Sequence, residues 1–171
     1  PEKIYDHGTV SSDVAESIVG EDTDESKSAQ ATFTAVPNED CTFHGWYYDA
    51  EHTQKVSDDA TYVATIKNDA VGSTQNLTLY AWFKKNQTLS FTTDAFDKNI
   101  VCGQTEVGVA TAPASSGLPV TYSSSNDAVA SVNEQGDVTG VAISNDDVII
   151  TVTQEGNDEY NAATQIERAF H

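Results

Sequence analysis

The segment from Pro119 to Gly140 decides the fold class of this chain, and it reads Pro-Val-Thr-Tyr-Ser-Ser-Ser-Asn-Asp-Ala-Val-Ala-Ser-Val-Asn-Glu-Gln-Gly-Asp-Val-Thr-Gly. Val120 and Tyr122 alternate with polar residues, as they do in a strand with one buried face. Residues 123–126 interrupt the strand, because Ser and Asn side chains bond to nearby backbone groups. The alternation then resumes, and Gly136 suits a turn that needs a positive φ. The segment therefore predicts short antiparallel strands joined by tight turns.

Strand signals continue on both sides of this segment. Val148 to Thr153 is the most β-prone run of the chain, with its odd and even residues on opposite faces. Residues 88–91, 100–103, 107–110 and 166–170 are further predicted strands, with a turn at 112–117. Roughly seven strands in residues 86–171 fit the size of an immunoglobulin-type sandwich. The predicted core of this half consists of Val120, Tyr122, Val132, Val148, Ile150 and Val152.

Three motifs in this half resemble the group-2 bacterial immunoglobulin-like (BIG) domain. They are Tyr-Ser-Ser-Ser-Asn at 122–126, Val-Ala-x-Val at 129–132 and Gly-x-Val-x-Gly at 136–140. A Gly-Asn-x-x-Tyr-x-x-Ala segment at 156–163 is similar to one near the end of many such domains. The resemblance implies an extracellular bacterial β-sandwich that serves as a building block, and it implies no ligand.

The first half predicts a second, smaller β-rich module. Residues 31–36 alternate as a half-buried strand does, and residues 41–49 form an aromatic strand in which Gly45 marks a bulge. Residues 62–66 and 77–83 are two more predicted strands. Residues 3–10 could end a strand, and the polar residues 11–28 are interpreted as a surface loop or a short helix near 14–19.

Three stretches of this half resemble the repeat named from the Listeria internalin B repeat region. They are Ala-Thr-Phe-Thr-Ala-Val-Pro-Asn-Glu at 31–39, Phe-x-Gly-Trp-Tyr-x-Asp at 43–49 and Leu-Thr-Leu-Tyr-Ala-Trp-Phe at 77–83. The resemblance implies a β-grasp-like module strung along surface proteins. Cys41 departs from it, since an aromatic is usual there, and the acidic loop before Ala31 is longer. We therefore expect two domains, 1–85 and 86–171, with a short joint at Asn86-Gln87 that restricts rotation.

The charge of the chain excludes some partners. The chain has 8 Lys and Arg and 27 Asp and Glu, which gives a net charge of -19, and both halves are acidic. Such a field repels phosphate backbones and anionic membrane surfaces, so nucleic acid binding and direct membrane insertion are not expected. The simplest interpretation is solubility. The alternative is a calcium site at loops of the second module, with candidate ligands Asp146, Asp147, Asp158 and Glu159.

The sequence contains no pattern that predicts catalysis. The two cysteines, Cys41 and Cys102, lie in different halves, and we expect free, mostly buried thiols. A zinc site formed by His44 and His52 with Asp49 or Glu51 is an alternative to scattered surface histidines. An internal isopeptide bond at Lys98 is not favoured, and no run is long enough to span a membrane.

Aromatic residues crowd into two strands of the first module. Trp46, Tyr47, Tyr48 and Trp82 are candidates for a glycan-binding platform, because apolar sugar faces stack on aromatic rings. Packing in the core is the favoured interpretation, since a module this small needs large side chains to bury enough surface. The predicted core of this half consists of Phe33, Phe43, Trp46, Leu79 and Trp82.

The function expected from the sequence is structural. The chain is interpreted as a non-catalytic extracellular spacer or adhesin stalk of a bacterial cell-surface protein, with neighbouring modules of the same polypeptide as its partners. The alternative is a module that binds a glycan or a host surface protein through aromatic residues or sandwich loops.

Overall fold

A computed structural model describes residues 3–5, 7–13, 28–67, 77–93 and 99–171. The predictions for residues 14–25 and for Lys98 lie outside these ranges. The chain divides into two compact units, Pro1–Lys85 and Asn86–His171. The secondary structure of the described residues is all strand, turn and loop, as expected for a mainly β protein.

Two antiparallel sheets form the described part of the first unit. One sheet has the strand order β1-β2-β3-β6, and the other has the order β5-β4-β7. The strands are β1 (Lys3–Tyr5), β2 (Gly8–Ser12), β3 (Ser28–Pro37), β4 (Cys41–Tyr47), β5 (Lys55–Ser57), β6 (Thr61–Lys67) and β7 (Tyr80–Lys85). The sequence did not predict β5, which is short and polar, and it took residues 3–10 as one strand where the structure has a hairpin.

Gly45 forms the bulge that the sequence predicted. The register between β4 and β7 shifts between Phe43 and Gly45, and the φ of Gly45 is 131°. A Cβ atom at this position would lie 2.9 Å from the carbonyl oxygen of Ser57 on β5. Glycine therefore lets a neighbouring strand come close at the point where β4 changes its twist.

The core of the first unit surrounds Trp46, which is 1% exposed. Its ring makes edge contacts with Phe33 and Phe43, at centroid distances of 5.9 and 5.5 Å. Along β7 the residues alternate, and Ala81 and Phe83 are buried in this core. The prediction that Trp82 is a core residue is wrong, because the side chains of successive strand residues point to opposite faces.

Two three-stranded antiparallel sheets form the second unit, consistent with an Ig-like β-sandwich. Their strand orders are β10-β11-β8 and β13-β12-β9. The strands are β8 (Thr105–Glu106), β9 (Thr121–Ser124), β10 (Ala130–Val132), β11 (Val138–Gly140), β12 (Val148–Thr153) and β13 (Ile166–Phe170). The predicted turn between β10 and β11 is present, and the φ of Gly136 is 82°.

β12 supplies the centre of the second core. Its residues alternate between buried and half-buried, with Val148, Ile150 and Val152 inside, as the sequence predicted. Val120, Tyr122 and Val132 are half-buried and pack against the same core. Phe170 of β13 is almost completely buried beside them. Cross-strand pairing with β9 and β13 covers both edges of β12.

Three predicted strands at the start of the second unit are irregular in the structure. Leu89 and Cys102 each make only an isolated bridge, to Ala114 and to Gly140. Residues 107–110 form a turn, in which Gly108 has a φ of 70° and Val107 is 81% exposed. The apolar residues of these segments predicted strands, but a segment becomes a regular strand only where a neighbouring strand pairs with it along its length.

Candidate functional site

Four ring side chains of the first unit form one group around Trp82, which we name the aromatic-histidine cluster: His44, Tyr47, His52 and Trp82. The imidazole of His52 stacks on the indole of Trp82, with a centroid distance of 4.9 Å and an interplanar angle of 4°. His44 and Tyr47 lie 5.6 and 5.8 Å from Trp82. The cluster lies on the face of the three-stranded sheet that points away from Trp46, because Trp82 alternates with the core residues Ala81 and Phe83.

The turn after β4 holds His52 in place. The carboxylate of Asp49 accepts hydrogen bonds from the backbone N–H of Thr53 at 2.8 Å and of Gln54 at 2.7 Å, and from the Thr53 hydroxyl at 3.1 Å. His52 takes a positive φ of 57° within this turn. The hydrogen bond from the Thr53 backbone is the main cause that lowers the pKa of Asp49 below its ordinary value.

Two lysines sit against the rings of the cluster. The ammonium of Lys84 lies 4.4 Å from the centroid of Trp82, and that of Lys55 lies 5.6 Å from the centroid of Tyr47. Lys55 also forms an ion pair with Asp58 at 2.6 Å, and the hydrogen bond in this pair raises the pKa of Lys55. Two ammonium groups therefore lie against rings of the cluster in a chain that is strongly acidic as a whole.

The structure separates the four residues that the sequence offered as a glycan platform, as an alternative to packing in the core. Trp46 is a core residue whose indole N–H donates to the carbonyl of Asp59 at 3.1 Å, and Tyr47 is buried as well. Trp82 is half-buried, with His52 stacked on it. Only Tyr48 is open to solvent, at 54% exposure. Of the four predicted residues, therefore, Tyr48 is exposed, Trp82 is half-buried and the other two are buried.

The candidate metal ligands are not brought together. In the described parts of the chain, no group of three or more His, Cys, Asp or Glu side chains is arranged to hold a metal ion. Asp49 uses its carboxylate in the turn, and His44 contacts the hydroxyl of Thr42 through Nε2. In the second unit, Asp147 pairs with His171. The backbone N–H of Asp146 donates to the hydroxyl of Ser144 in the same loop. Asp158 and Glu159 belong to a different loop, between β12 and β13.

Both cysteines are free thiols, but one expectation about them is wrong. Cys41 is half-buried at the start of β4, and Cys102 is exposed. The thiol of Cys102 donates to the carbonyl of Val141 at 3.3 Å. Cys102 lies in a segment that pairs with Gly140 through an isolated bridge, and it is exposed there.

A buried hydrogen-bond network at the start of the second unit was missed by the sequence reasoning. The side-chain amide of Gln87 donates to the side chain of Gln154, and to the carbonyl of Asn161 at 2.6 Å. The hydroxyl of Ser116 donates to Oε1 of Gln87. Gln154 also accepts from the backbone N–H of Gly156 at 2.6 Å. We name this set the Gln87 network. The sequence did not predict the contact between the two glutamines, because they lie far apart in sequence and each has polar neighbours.

Arg168 is a third buried polar residue that the sequence did not reveal. It lies on β13, and its guanidinium donates to the carbonyls of Val109 and Thr93. The same group covers the ring of Phe91 at 3.9 Å from its centroid. Arg168 therefore links the last strand of the unit to two segments that are not strands, and its charge is used inside the unit.

The described residues contain no helix that is long and apolar enough to cross a membrane. Comparison with curated proteins gives no match, and comparison with solved structures gives none. A comparison with protein families does give a match, to the bacterial Ig-like domain (group 2), and it covers residues 90–163. Domains of this family are common in bacterial surface proteins and are typically non-catalytic. The match and the two three-stranded sheets agree, and residues 90–163 of the second unit are similar to a group-2 bacterial Ig-like domain.

Proposed function

We propose that the chain is a non-catalytic extracellular spacer of a bacterial surface protein, in the manner of an adhesin stalk. The observation that carries this proposal is that both ends of the second unit are tied to its body. At the beginning, Gln87 is held by the Gln87 network and Thr88 exchanges hydrogen bonds with Ser115. At the end, β13 pairs with β12 over five residue pairs.

This arrangement suits a segment under tension. A pulling force enters a spacer module at one end of its chain and leaves at the other. To extend the second unit, the force must break either the buried bonds at Gln87 or the ladder between β12 and β13. Groups of hydrogen bonds that must break together raise the barrier to unfolding, and resistance to force depends on that barrier.

Single-molecule force spectroscopy on the full chain tests the proposal. With the chain held between marker domains, the second unit should unfold in one cooperative event with a clear force peak. The Gln87→Ala variant should unfold at a lower force, and Gln165→Ala, at an exposed position, should not differ from the unchanged chain. Extension of the second unit without a force peak would contradict the role of a spacer under tension.

We also infer that the first unit is a repeat of the internalin-B type. Support comes from the motif residues that suggested the resemblance, because Phe33, Phe43, Trp46 and Phe83 pack together in its core. A repeat that is a domain in its own right folds alone. A fragment of residues 1–85 should therefore unfold cooperatively in urea, and a fragment without a folded baseline would contradict this assignment.

A second candidate function is binding of an acidic glycan through the aromatic-histidine cluster. The ammonium of Lys84 lies 4.4 Å from the centroid of Trp82, so a carboxylated or sulfated sugar would find a cation beside an aromatic ring. A glycan array, with calcium and then with chelator, tests this function. The function is supported if the Trp82→Ala variant loses glycan binding and the Val63→Ala variant, changed at an exposed strand position, keeps it. If no glycan binds in either buffer, this second candidate function is contradicted.

A further inference from the structure

An apolar pocket of about 220 Å³ opens on the surface of the second unit. Val148 and Phe170, which belong to the core, form part of its lining. The loop after β11 contributes Ala142 and Ile143 to its wall. We name this cavity the Ile143 pocket. Neither the Gln87 network nor the aromatic-histidine cluster contributes to it.

The edge of the pocket exposes large apolar side chains to an unusual degree. Ile143 is 91% exposed, and Val101, which neighbours the lining residue Cys102, is 63% exposed. Cys102 bridges to Gly140 and its thiol donates to the carbonyl of Val141, so the segment that carries Val101 runs beside the start of the loop that carries Ile143. Single exposed apolar residues need no explanation, but large exposed apolar side chains beside a cavity whose floor belongs to the core favour a binding site.

The size of the pocket limits what it accepts. Sites for small organic ligands commonly enclose about 300 to 1,000 Å³, and this pocket is smaller. It has room for one large aliphatic or aromatic side chain, which would pack on Val148 and Phe170. A single anchoring side chain in a pocket, surrounded by weaker contacts, is how many protein interfaces obtain most of their affinity.

The acidic residues around the pocket indicate the charge of the partner residues on either side of the anchoring side chain. Asp146 and Asp147 lie in the loop between the lining residues Ser144 and Val148. The described residues of the second unit include ten Asp and Glu, and their single Lys or Arg is Arg168, which is buried. A second copy of this acidic chain would be repelled, whereas a cationic segment would be attracted.

We propose that the Ile143 pocket docks an apolar side chain that lies between lysines or arginines in a segment of another protein. The apolar side chain fills the pocket, and the flanking cations face Asp146 and Asp147. This inference goes beyond a spacer role, because a spacer needs no partner at this surface. The ligand of this pocket is cationic, whereas the glycan proposed for the aromatic-histidine cluster is acidic.

Two-dimensional NMR of the isotope-labelled full chain tests the proposal with defined peptides. The peptide Lys-Lys-Leu-Lys-Lys should shift the amide signals of residues 100–103 and 141–148 in a saturable manner. The peptide Lys-Lys-Ala-Lys-Lys, which lacks the anchor, and Glu-Glu-Leu-Glu-Glu, which has the wrong charge, should each bind at least about tenfold more weakly, a difference of about 1.4 kcal/mol.

Substitutions at exposed positions separate the pocket from general attraction to an acidic surface. Ile143→Ser should weaken binding of the basic leucine peptide about tenfold, and Val107→Ser, at an exposed valine outside the pocket, should leave it unchanged. Asp146→Asn should reduce the salt dependence of binding more than Asp158→Asn does. Equal binding of the leucine and alanine peptides, no saturable shifts, or self-association of the chain would each overturn the proposal.

Discussion

Gln87 and Gln154 are hydrogen-bonded through their side chains inside the second unit, although 67 positions separate them in sequence. Both side chains are buried, and together with Ser116 and Asn161 they satisfy one another's polar atoms. A buried polar network stabilises a unit only when each member keeps its partners. The first residues of the second unit are therefore attached to the loop that follows β12.

Replacing Gln87 by Ala should destabilise the second unit by about 2 to 3 kcal/mol, because the polar atoms of Gln154 and Ser116 lose a buried partner. Urea denaturation followed by circular dichroism measures this change. Gln165→Ala removes an exposed glutamine and should change the free energy of unfolding by less than about 0.5 kcal/mol. Equal stability of the two variants would show that the network contributes nothing.

The two tryptophans should respond differently to truncation. Trp46→Ala leaves a cavity in the core of the first unit and should cost about 3 to 5 kcal/mol. Trp82→Ala removes a half-buried ring outside that core and should cost about 1 to 2 kcal/mol. Far-ultraviolet circular dichroism during denaturation compares them without using tryptophan fluorescence. A larger loss for Trp82 would contradict the assignment of the core.

Two glycines with similar φ values separate strain from crowding. Gly117 has a φ of 77° and no atom close to where a Cβ would lie, so Gly117→Ala should cost only the strain of a left-handed residue, about 1 to 2 kcal/mol. Gly136 has a φ of 82°, and a Cβ there would lie 2.5 Å from the backbone nitrogen of Thr111. Gly136→Ala should therefore cost clearly more in thermal unfolding. Equal losses would show that the backbone near Thr111 moves aside without cost.

The turn at Asp49 should make the first unit sensitive to acid. The folded state lowers the pKa of this carboxyl below its ordinary value of 3.8. Its stabilising effect is therefore complete above pH 3.8, and it is lost as the pH falls through the lower folded-state pKa. Asp49→Asn should be less stable near neutral pH and should lose less stability on acidification.

Stability measured against pH for the unchanged chain, Asp49→Asn and Glu39→Gln checks this prediction. Glu39 is an exposed acid in another turn of the same unit, so Glu39→Gln should follow the unchanged chain. Parallel curves for the Asp49 variant and the unchanged chain would show that the turn does not depend on the ionised carboxylate.

Local patterns in the sequence determined much of the fold. The alternation in β12 predicted which residues are buried, because side chains on a strand alternate between two faces. Glycine at 45 and 136 predicted a bulge and a turn, because few other residues tolerate those backbone angles. The motifs at 122–140 predicted the resemblance that the family match to residues 90–163 supports.

Only the tertiary structure decided which face of β7 enters the core and which polar residues meet across the chain. Trp82 and Phe83 are both large aromatic residues, so the sequence could not assign one of them to the core and the other to the aromatic-histidine cluster. The partners of Gln87 and Arg168 lie far away in sequence. Periodicity reports on the neighbours of a residue along its own strand, whereas these contacts depend on how separate segments pack, and packing is a property of the whole unit.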